Sequence, residues 1–507
     1  MPRETISHLE AKSDCICKPL EGIHVVARMG LCFHPGLPKP GFHPNKPKSG
    51  LFGTPGFGAP AQDSDGGCRL NTFAAPTRAS HAAREAESIA TAYQTVRGTT
   101  RRLCTSLTAD DQMVQSTTEA SPVKWHQAHT TWFFETFLLV ASLPGYRPFS
   151  PAFRSLFNSY YKQVGAHPLR TLRSTFSRPS LEEVQAYRHY VDEHMAQLFA
   201  SDVMDEAVGA LVRLGINHEQ QHQELILTDI KHAFWTSPLR PAYLHQPSEM
   251  KAPGELSGPL ATPRGWRHFP GGLCQIGNAG VDFAFDNEGP QHLVYLQPFR
   301  LAARLVTNRE YLQFMQEDGY RRPGLWLSDG WDTALANRWE APLYWERDGD
   351  GWTTFTLAGM RPLDLREPVC HVSYYEADAF ARWAGARLPS EAEWEIAAQG
   401  VAIEGNFLEQ ARLHPAPAPT YPSLLETDRL QQLFGDVWEW TQSPYVAYPG
   451  FTAAAGPLGE YNGKFMCNQL VLRGGSCATP ETHIRASYRN FFPPASRWQF
   501  MGIRLAE

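Results

Sequence analysis

Apolar residues recur at three- and four-residue intervals from Ala82 to Trp235, and this period predicts four amphipathic helices. The first spans 82–107 and the second, rich in Trp and Phe, spans 123–142. A third starts at Ser180, where Ser180-Leu-Glu-Glu183 behind Pro179 has the form of a capping box. The fourth runs from Asp205 to Trp235. Four partly apolar helices predict a bundle, an architecture that places metal and ligand sites between facing helices. The connection from Pro144 to Pro179 is long for a compact domain, and loops of that size usually carry function.

Downstream the texture changes. Residues 238–263 are rich in Pro and Gly and read as a linker. Short strand-like runs follow at 266–276, 292–301, 352–357, 437–440, 471–474 and 502–505, interrupted by helical patterns at 308–315, 375–384 and 390–398. That order predicts an α+β domain and fits a doubly wound sheet poorly. Residues 33–67 are dense in Gly, Pro, Lys and Ser and carry too little apolar surface to order themselves. The expected organisation is a disordered tail or mis-assigned start at 1–80, a helical bundle at 81–240, a linker at 241–264 and an α+β domain at 265–507.

At 507 residues the chain has length for two or three domains with real cores. Its net charge of -6 gives no reason to expect nucleic acid or an acidic membrane surface as partner. No apolar run is long enough to span a bilayer, and the N-terminus lacks a signal pattern. Nine cysteines scattered without a paired framework fit a reducing cytoplasm, and Cys15-Ile-Cys17 is too close for a zinc knuckle.

The candidate chemistry lies in His218-Glu219-Gln220-Gln221-His222 on the fourth helix. Residues four apart share a helix face, so both imidazoles point the same way, as two ligands of one metal ion require. The string also fits H-E-x-x-H, which would make Glu219 the general base of a zinc protease. A working metal needs a third ligand and open positions, and His129 is the best candidate. It lies on the second helix one turn from both Trp125 and Phe133, on an aromatic and therefore inward face, whereas His126 is expected at the surface. Imidazoles accept zinc and iron(II) alike, so spacing leaves the metal open.

Together these residues carry a resemblance. Trp125-x-x-x-His129, the His218 to His222 segment, and the strings Phe285-Asp-Asn-Glu288, Val306-Thr-Asn-Arg-Glu-Tyr311, Val372-Ser-Tyr-Tyr-Glu-Ala377, Arg387-Leu-Pro-Ser-Glu-Ala-Glu-Trp394, Gly435-Asp-Val-Trp-Glu-Trp440, Arg473-Gly-Gly-Ser476 and Gly502-Ile-Arg-Leu505 resemble the ergothioneine-biosynthesis sulfoxide synthases (EgtB family) from about residue 82 to the end. These join a DinB-like four-helix bundle to a domain similar to formylglycine-generating enzyme, a variant of the C-type lectin fold. The resemblance implies Fe(II) on His129, His218 and His222. It implies the joining of cysteine, or γ-glutamylcysteine, to C2 of the hercynine imidazole with O2. Forming the C–S bond and oxidising sulfur to the sulfoxide remove the four electrons that O2 needs to become water, so no organic cofactor is implied, and the chain has no Gly-rich nucleotide loop.

In one branch of that family, associated with free cysteine, a tandem tyrosine pair delivers a proton, and Tyr160-Tyr161 in the long loop matches it. Asn490, Phe491 and Phe492 resemble the substrate segment, the rings suited to a quaternary ammonium, and Gln221 is placed to meet the substrate imidazole. Phe-Phe-Pro-Pro after Asn490 departs from members that use γ-glutamylcysteine and leaves the thiol open. Selenium-inserting and ovothiol-type relatives would share most motifs, though the latter usually carry a further methyltransferase. A formylglycine-generating oxidase would need a cysteine pair where Thr479 and Ile484 stand, with Cys477 alone nearby. A non-catalytic binding protein is the remaining alternative.

Overall fold

The computed structural model describes residues 78–244, 265–280, 282–419 and 429–507, with side chains from residue 87 onward. Nearly all of the expected tail, and the linker from 245 to 264, lie outside the described residues.

Four long helices form the N-terminal part: α1 (Arg78–Cys104), α2 (Val123–Phe134), α3 (Leu181–Phe199) and α4 (Glu206–Thr236). Caps fix two of the starts. Ser180 and Glu183 make the reciprocal capping box of α3, and Asp205 accepts from the Val208 N–H at the head of α4. α2 is buried on every side, because α4 and α3 pack against it, α1 closes the bundle and the long loop covers the remaining flank. It continues through a π-helical turn, Glu135–Leu139, whose Glu135 carboxylate accepts from the hydroxyls of Tyr146 and Tyr187, both at 2.7 Å. α2 and α4 approach closely at Gly215, where an added Cβ would lie 2.5 Å from a ring carbon of Phe134.

The second part is α+β. Strands β1 (Trp266–Phe269) and β4 (Phe299–Ala302) pair antiparallel, as do β2 (Gly272–Ile276) and β3 (His292–Leu296). A meander of β5 (Trp345–Asp348), β6 (Gly351–Thr356) and β7 (Gly359–Pro362) follows helices α5 (Asn308–Gln316) and α6 (Ser328–Ala336). The central sheet has the order β10 (Asn490–Phe492), β9 (Leu470–Arg473), β8 (Trp438–Pro444), β11 (Met501–Gly502), with β8 and β11 parallel. Helices α7 (Tyr374–Trp383) and α8 (Glu391–Ala398) pack on it, each with a Ser-to-Glu capping box. Three indoles are buried here. Trp394 donates to Glu439 and Trp440 to the Val372 carbonyl, while Trp438 reaches across to Glu224 of α4.

That contact is one of a series along one side of α4. Gln220 donates to Thr482, Gln221 to Tyr488, and Lys231 to His371, while Glu224 accepts from Trp438, Ser476 and Thr479. Apolar residues of α4 (Ile226, Leu227, Ile230) share a core with Phe355, Val437 and Phe500. The histidine helix is therefore gripped by the second part along its whole C-terminal half. No helix among the described residues is long and apolar enough to cross a membrane.

Candidate metal centre and the cavity beside it

His129 of α2 and His218 and His222 of α4 converge, each offering one ligand atom, all within 4.8 Å of one another. Four-residue spacing sets His218 and His222 one turn apart on one face with their rings edge-on, and their Nε2 atoms are 3.2 Å apart. His129 lies between two indoles, stacked on Trp125 at 4.5 Å and on Trp132 at 5.5 Å. Its Nδ1–H donates to the Phe157 carbonyl at 2.6 Å, which leaves the Nε2 lone pair for a ligand role. Phe133 packs on the His218 ring.

All three imidazoles are buried, and burial holds their pKa values down, that of His218 at about 4. They are neutral at pH 7, the state in which imidazole binds a metal. His218 Nδ1 is buried without a partner, and two Nε2 atoms face each other at hydrogen-bond distance. A shared cation would satisfy that facing pair better than a lone hydrogen between them. The donor set fits a first-row divalent ion held by three neutral nitrogens.

Beside the histidines opens a cavity of about 240 Å3 lined from both parts of the chain, including the candidate residues Tyr160, Tyr161, Gln221, Asn490, Phe491 and Phe492. Gln221 donates its Nε2–H to Tyr488 at 2.8 Å, leaving Oε1 as an acceptor. Phe491 stacks on Tyr445 at 4.1 Å and adjoins Phe465, while Phe492 meets Trp498 edge-on. Asn490 Oδ1 accepts from the Phe491 N–H, so its Nδ2 is the atom left for a ligand.

Arg173 is a feature the sequence pattern did not flag. It lines the cavity over the Trp125 ring at 3.4 Å and donates only to the hydroxyls of Ser121 and Ser159. Burial pushes its pKa down to about 9, so it remains a cation at pH 7, with no carboxylate in ion-pairing distance among the described residues. Arg170, also on the wall, donates to the Tyr160 hydroxyl at 3.2 Å. Three-residue spacing of two arginines after a tyrosine pair was the available signal.

Comparison with known proteins now bears on this arrangement. A DinB superfamily model matches residues 92–226, and a sulfatase-modifying factor enzyme 1-like domain model matches 262–425 and 416–507. The hercynine oxygenase of Mycolicibacterium thermoresistibile is 33% identical over 76% of this chain and 87% of its own. The chain belongs to the hercynine oxygenase (EgtB) family. The Mycobacterium tuberculosis hercynine oxygenase is 32% identical over 76% of this chain and 91% of its own. The formylglycine-generating enzyme of Streptomyces coelicolor is 29% identical, but over only 51% of this chain.

Within this member of the hercynine oxygenase family, the structure corrects one expectation, the surface position of His126, and bears on two rival readings. His126 is not at the surface: it is 2% exposed, because positions three apart on a helix are neighbours and α2 is enclosed on every side. It contacts His222 Nδ1 at 2.7 Å and Asp229 at 3.1 Å. Glu219 is turned into the bundle core, where Arg97, Arg188 and Thr100 bind its carboxylate. Burial would raise its pKa, but Arg97 and Arg188 override this and hold it at about 2, so it is consumed in a salt bridge and does not line the cavity as a protease base would. At the positions of an oxidase cysteine pair, Thr479 donates to Glu224 and Ile484 is core, while Cys477 is fully buried and burial pushes its thiol pKa well up.

Proposed function

We propose that this chain is a non-haem iron(II)-dependent oxygenase that joins cysteine to C2 of the hercynine imidazole and oxidises the sulfur, giving hercynylcysteine sulfoxide. The carrying observation is the cluster of His129, His218 and His222 opening onto an aromatic cavity, in a chain of the hercynine oxygenase family. Iron(II) on these three nitrogens would keep positions open for thiolate and O2 and activate them side by side. The protein's own residues would do the rest. Phe491 and Phe465, both on the cavity wall, offer ring surfaces to a trimethylammonium, which cannot donate a hydrogen bond but is attracted by ring quadrupoles. Gln221 Oε1 is available to the imidazole N–H, orienting C2, and Asn490 Nδ2 to a carboxylate oxygen.

Among the described residues neither Arg173 nor Arg170 has a carboxylate within ion-pairing distance, and both suit the carboxylate of the thiol substrate. Tyr160 and Tyr161 line the cavity and would hold or deliver a proton as oxygen is reduced. Both bonds made to sulfur supply the four electrons O2 requires, so neither an external reductant nor an organic cofactor is needed. The substrates are small molecules, with no nucleic acid or membrane partner in the scheme.

The test is anaerobic loading with Fe(II), then O2 with hercynine plus cysteine, γ-glutamylcysteine or a selenosugar, read by mass spectrometry. Hercynylcysteine sulfoxide with one O2 consumed per product is expected, and His129→Ala should lower turnover by at least about a thousandfold, consistent with loss of a metal ligand. Product only from the selenosugar or γ-glutamylcysteine would reassign the donor. Zinc retention with peptide hydrolysis, or hercynine binding with no turnover in iron-loaded protein, would overturn the reading.

A further inference from the structure

Behind His222 lie a second imidazole and a carboxylate that the ligand set does not use. His126 Nδ1 is 2.7 Å from His222 Nδ1, and His126 Nε2 is 3.1 Å from Asp229 Oδ2. The direction of this chain is set from its far end. Asp229 is ringed by donors, the Ser121 N–H at 2.8 Å on Oδ2 and the Trp498 indole N–H at 3.2 Å on Oδ1. A carboxylate only accepts, so His126 presents Nε2–H to it. A neutral His126 then has its lone pair on Nδ1, and the 2.7 Å contact is His222 Nδ1–H donating to it. His222 is left with its lone pair on Nε2, the atom 3.2 Å from His218 Nε2.

The reverse arrangement fails at both ends. It would aim a His126 lone pair at the carboxylate and place a proton on His222 Nε2, where a metal would have to bind. We propose that His126 and Asp229 are positioning residues that hold His222 in its Nε2-ligating tautomer, and that Trp498 extends this hold into the second part of the chain. The proposal rests on the metal-centre reading above. It explains why a histidine and an aspartate, 2% and 5% exposed, are buried together on facing helices with every hydrogen-bonding atom used. Of the other two ligands, His129 is fixed by a main-chain carbonyl instead of a side-chain relay, and His218 Nδ1 has no partner among the described residues.

Two substitutions separate positioning from packing. His126→Phe keeps a ring but removes the acceptor, whereas His126→Gln supplies a carbonyl oxygen toward His222 and an N–H toward Asp229. Co(II) and Fe(II) affinities would be measured anaerobically by chelator competition, with the Co(II) visible spectrum as the coordination signature. His126→Phe should bind metal about 10- to 100-fold more weakly with an altered spectrum, and His126→Gln should return to within about threefold of wild type. Wild-type affinity and spectrum in folded His126→Phe would overturn the proposal. Nitrogen-15 chemical shifts of His222 in metal-free wild type give a second readout that does not depend on folding of the variant. A proton on Nδ1 is expected, and one on Nε2 would overturn the proposal. If wild type and His129→Ala bind metal equally, the metal centre itself is wrong, and the tautomer measurement still decides the role of His126.

Discussion

Tyr160 and Tyr161 are neighbours in the chain but differ in what their hydroxyls do. Tyr161 is 4% exposed, its ring against Trp132 and Phe137, and its hydroxyl makes no hydrogen bond among the described residues. Burial raises its pKa, so it is a neutral phenol across the working range. Tyr160 is half-buried and its hydroxyl accepts from Arg170. Tyr161→Phe therefore removes an oxygen that stabilises nothing, and should change the unfolding free energy by less than about 0.5 kcal/mol. A shift of product from the sulfoxide toward cysteine sulfinate in that variant would then report proton delivery alone. Tyr160→Phe frees Arg170 as well, so its effect should include a higher KM for the thiol. Unchanged product ratios in both variants would remove the pair from the mechanism. Sequence singled out the residues that carry a pattern: two histidines at helical spacing, a third flanked by aromatics, a tandem tyrosine. It placed His126 at the surface and passed over Asp229 and Arg173, because their roles come from contacts across elements and each looks ordinary in its own segment.

Helices were legible where caps and period agreed, as at Ser180 and Asp205, and short strands where β-branched and aromatic residues clustered. Of the β5–β7 meander only β6 was expected, and α6 was missed. Asp348-Gly-Asp-Gly351 marks a hairpin turn, but β5 and β7 are only four residues long, and α6 starts at a Ser-Asp-Gly sequence with weak helix preference. The π turn after Phe134 had no local signal. Gly215 illustrates how packing overrides preference. Ala in place of an interior helical Gly gains about 1 kcal/mol of helix propensity. At Gly215 the new Cβ would lie 2.5 Å from Phe134 and 3.0 Å from Phe133, both fully buried rings that cannot swing away. Overpacking of this kind costs about 1–3 kcal/mol, so Gly215→Ala should destabilise, and it should also weaken metal binding because Phe133 packs on His218. Gly98 of α1 provides the contrast, since its added Cβ meets only Arg102 at 3.6 Å. Gly98→Ala should be neutral or stabilising by up to about 1 kcal/mol. Urea denaturation of both variants checks the pair, and a stabilised Gly215→Ala would show that α4 can slide off α2 at no cost.

Among the described residues, burial lowers the pKa values of eight histidines, His126, His129, His218, His222, His232, His371, His414 and His483, with desolvation the largest cause in each, and those of His218 and His414 are about 4. Unfolded, each would titrate near 6.5. Between these limits the unfolded chain binds more protons than the native one, so stability is full above about pH 7 and is lost as pH falls from about 6.5 toward 4. A fully neutral histidine contributes a slope of roughly 1.4 kcal/mol per pH unit, so a few of them acting together exhaust the ~5–15 kcal/mol typical of a folded domain before pH 5. The fully buried carboxyls Glu224 and Glu439 oppose this, because burial raises their pKa values and acid favours their folded form. They take up protons near and above 4.5, and there are fewer of them. Glu219, held at about 2, contributes nothing to the change until pH drops below about 4.3. The metal-free protein should therefore show a flat urea midpoint from pH 8 to 7 and a steep fall below 6.5 at nearly constant m. Because His371 and His483 lie in the second part and contact α4 through Lys231 and Asn217, the loss should be cooperative across both parts. A midpoint unchanged down to pH 5 would mean that these imidazoles are hydrated, and the enclosed, neutral nitrogen set on which metal binding depends would be lost with them.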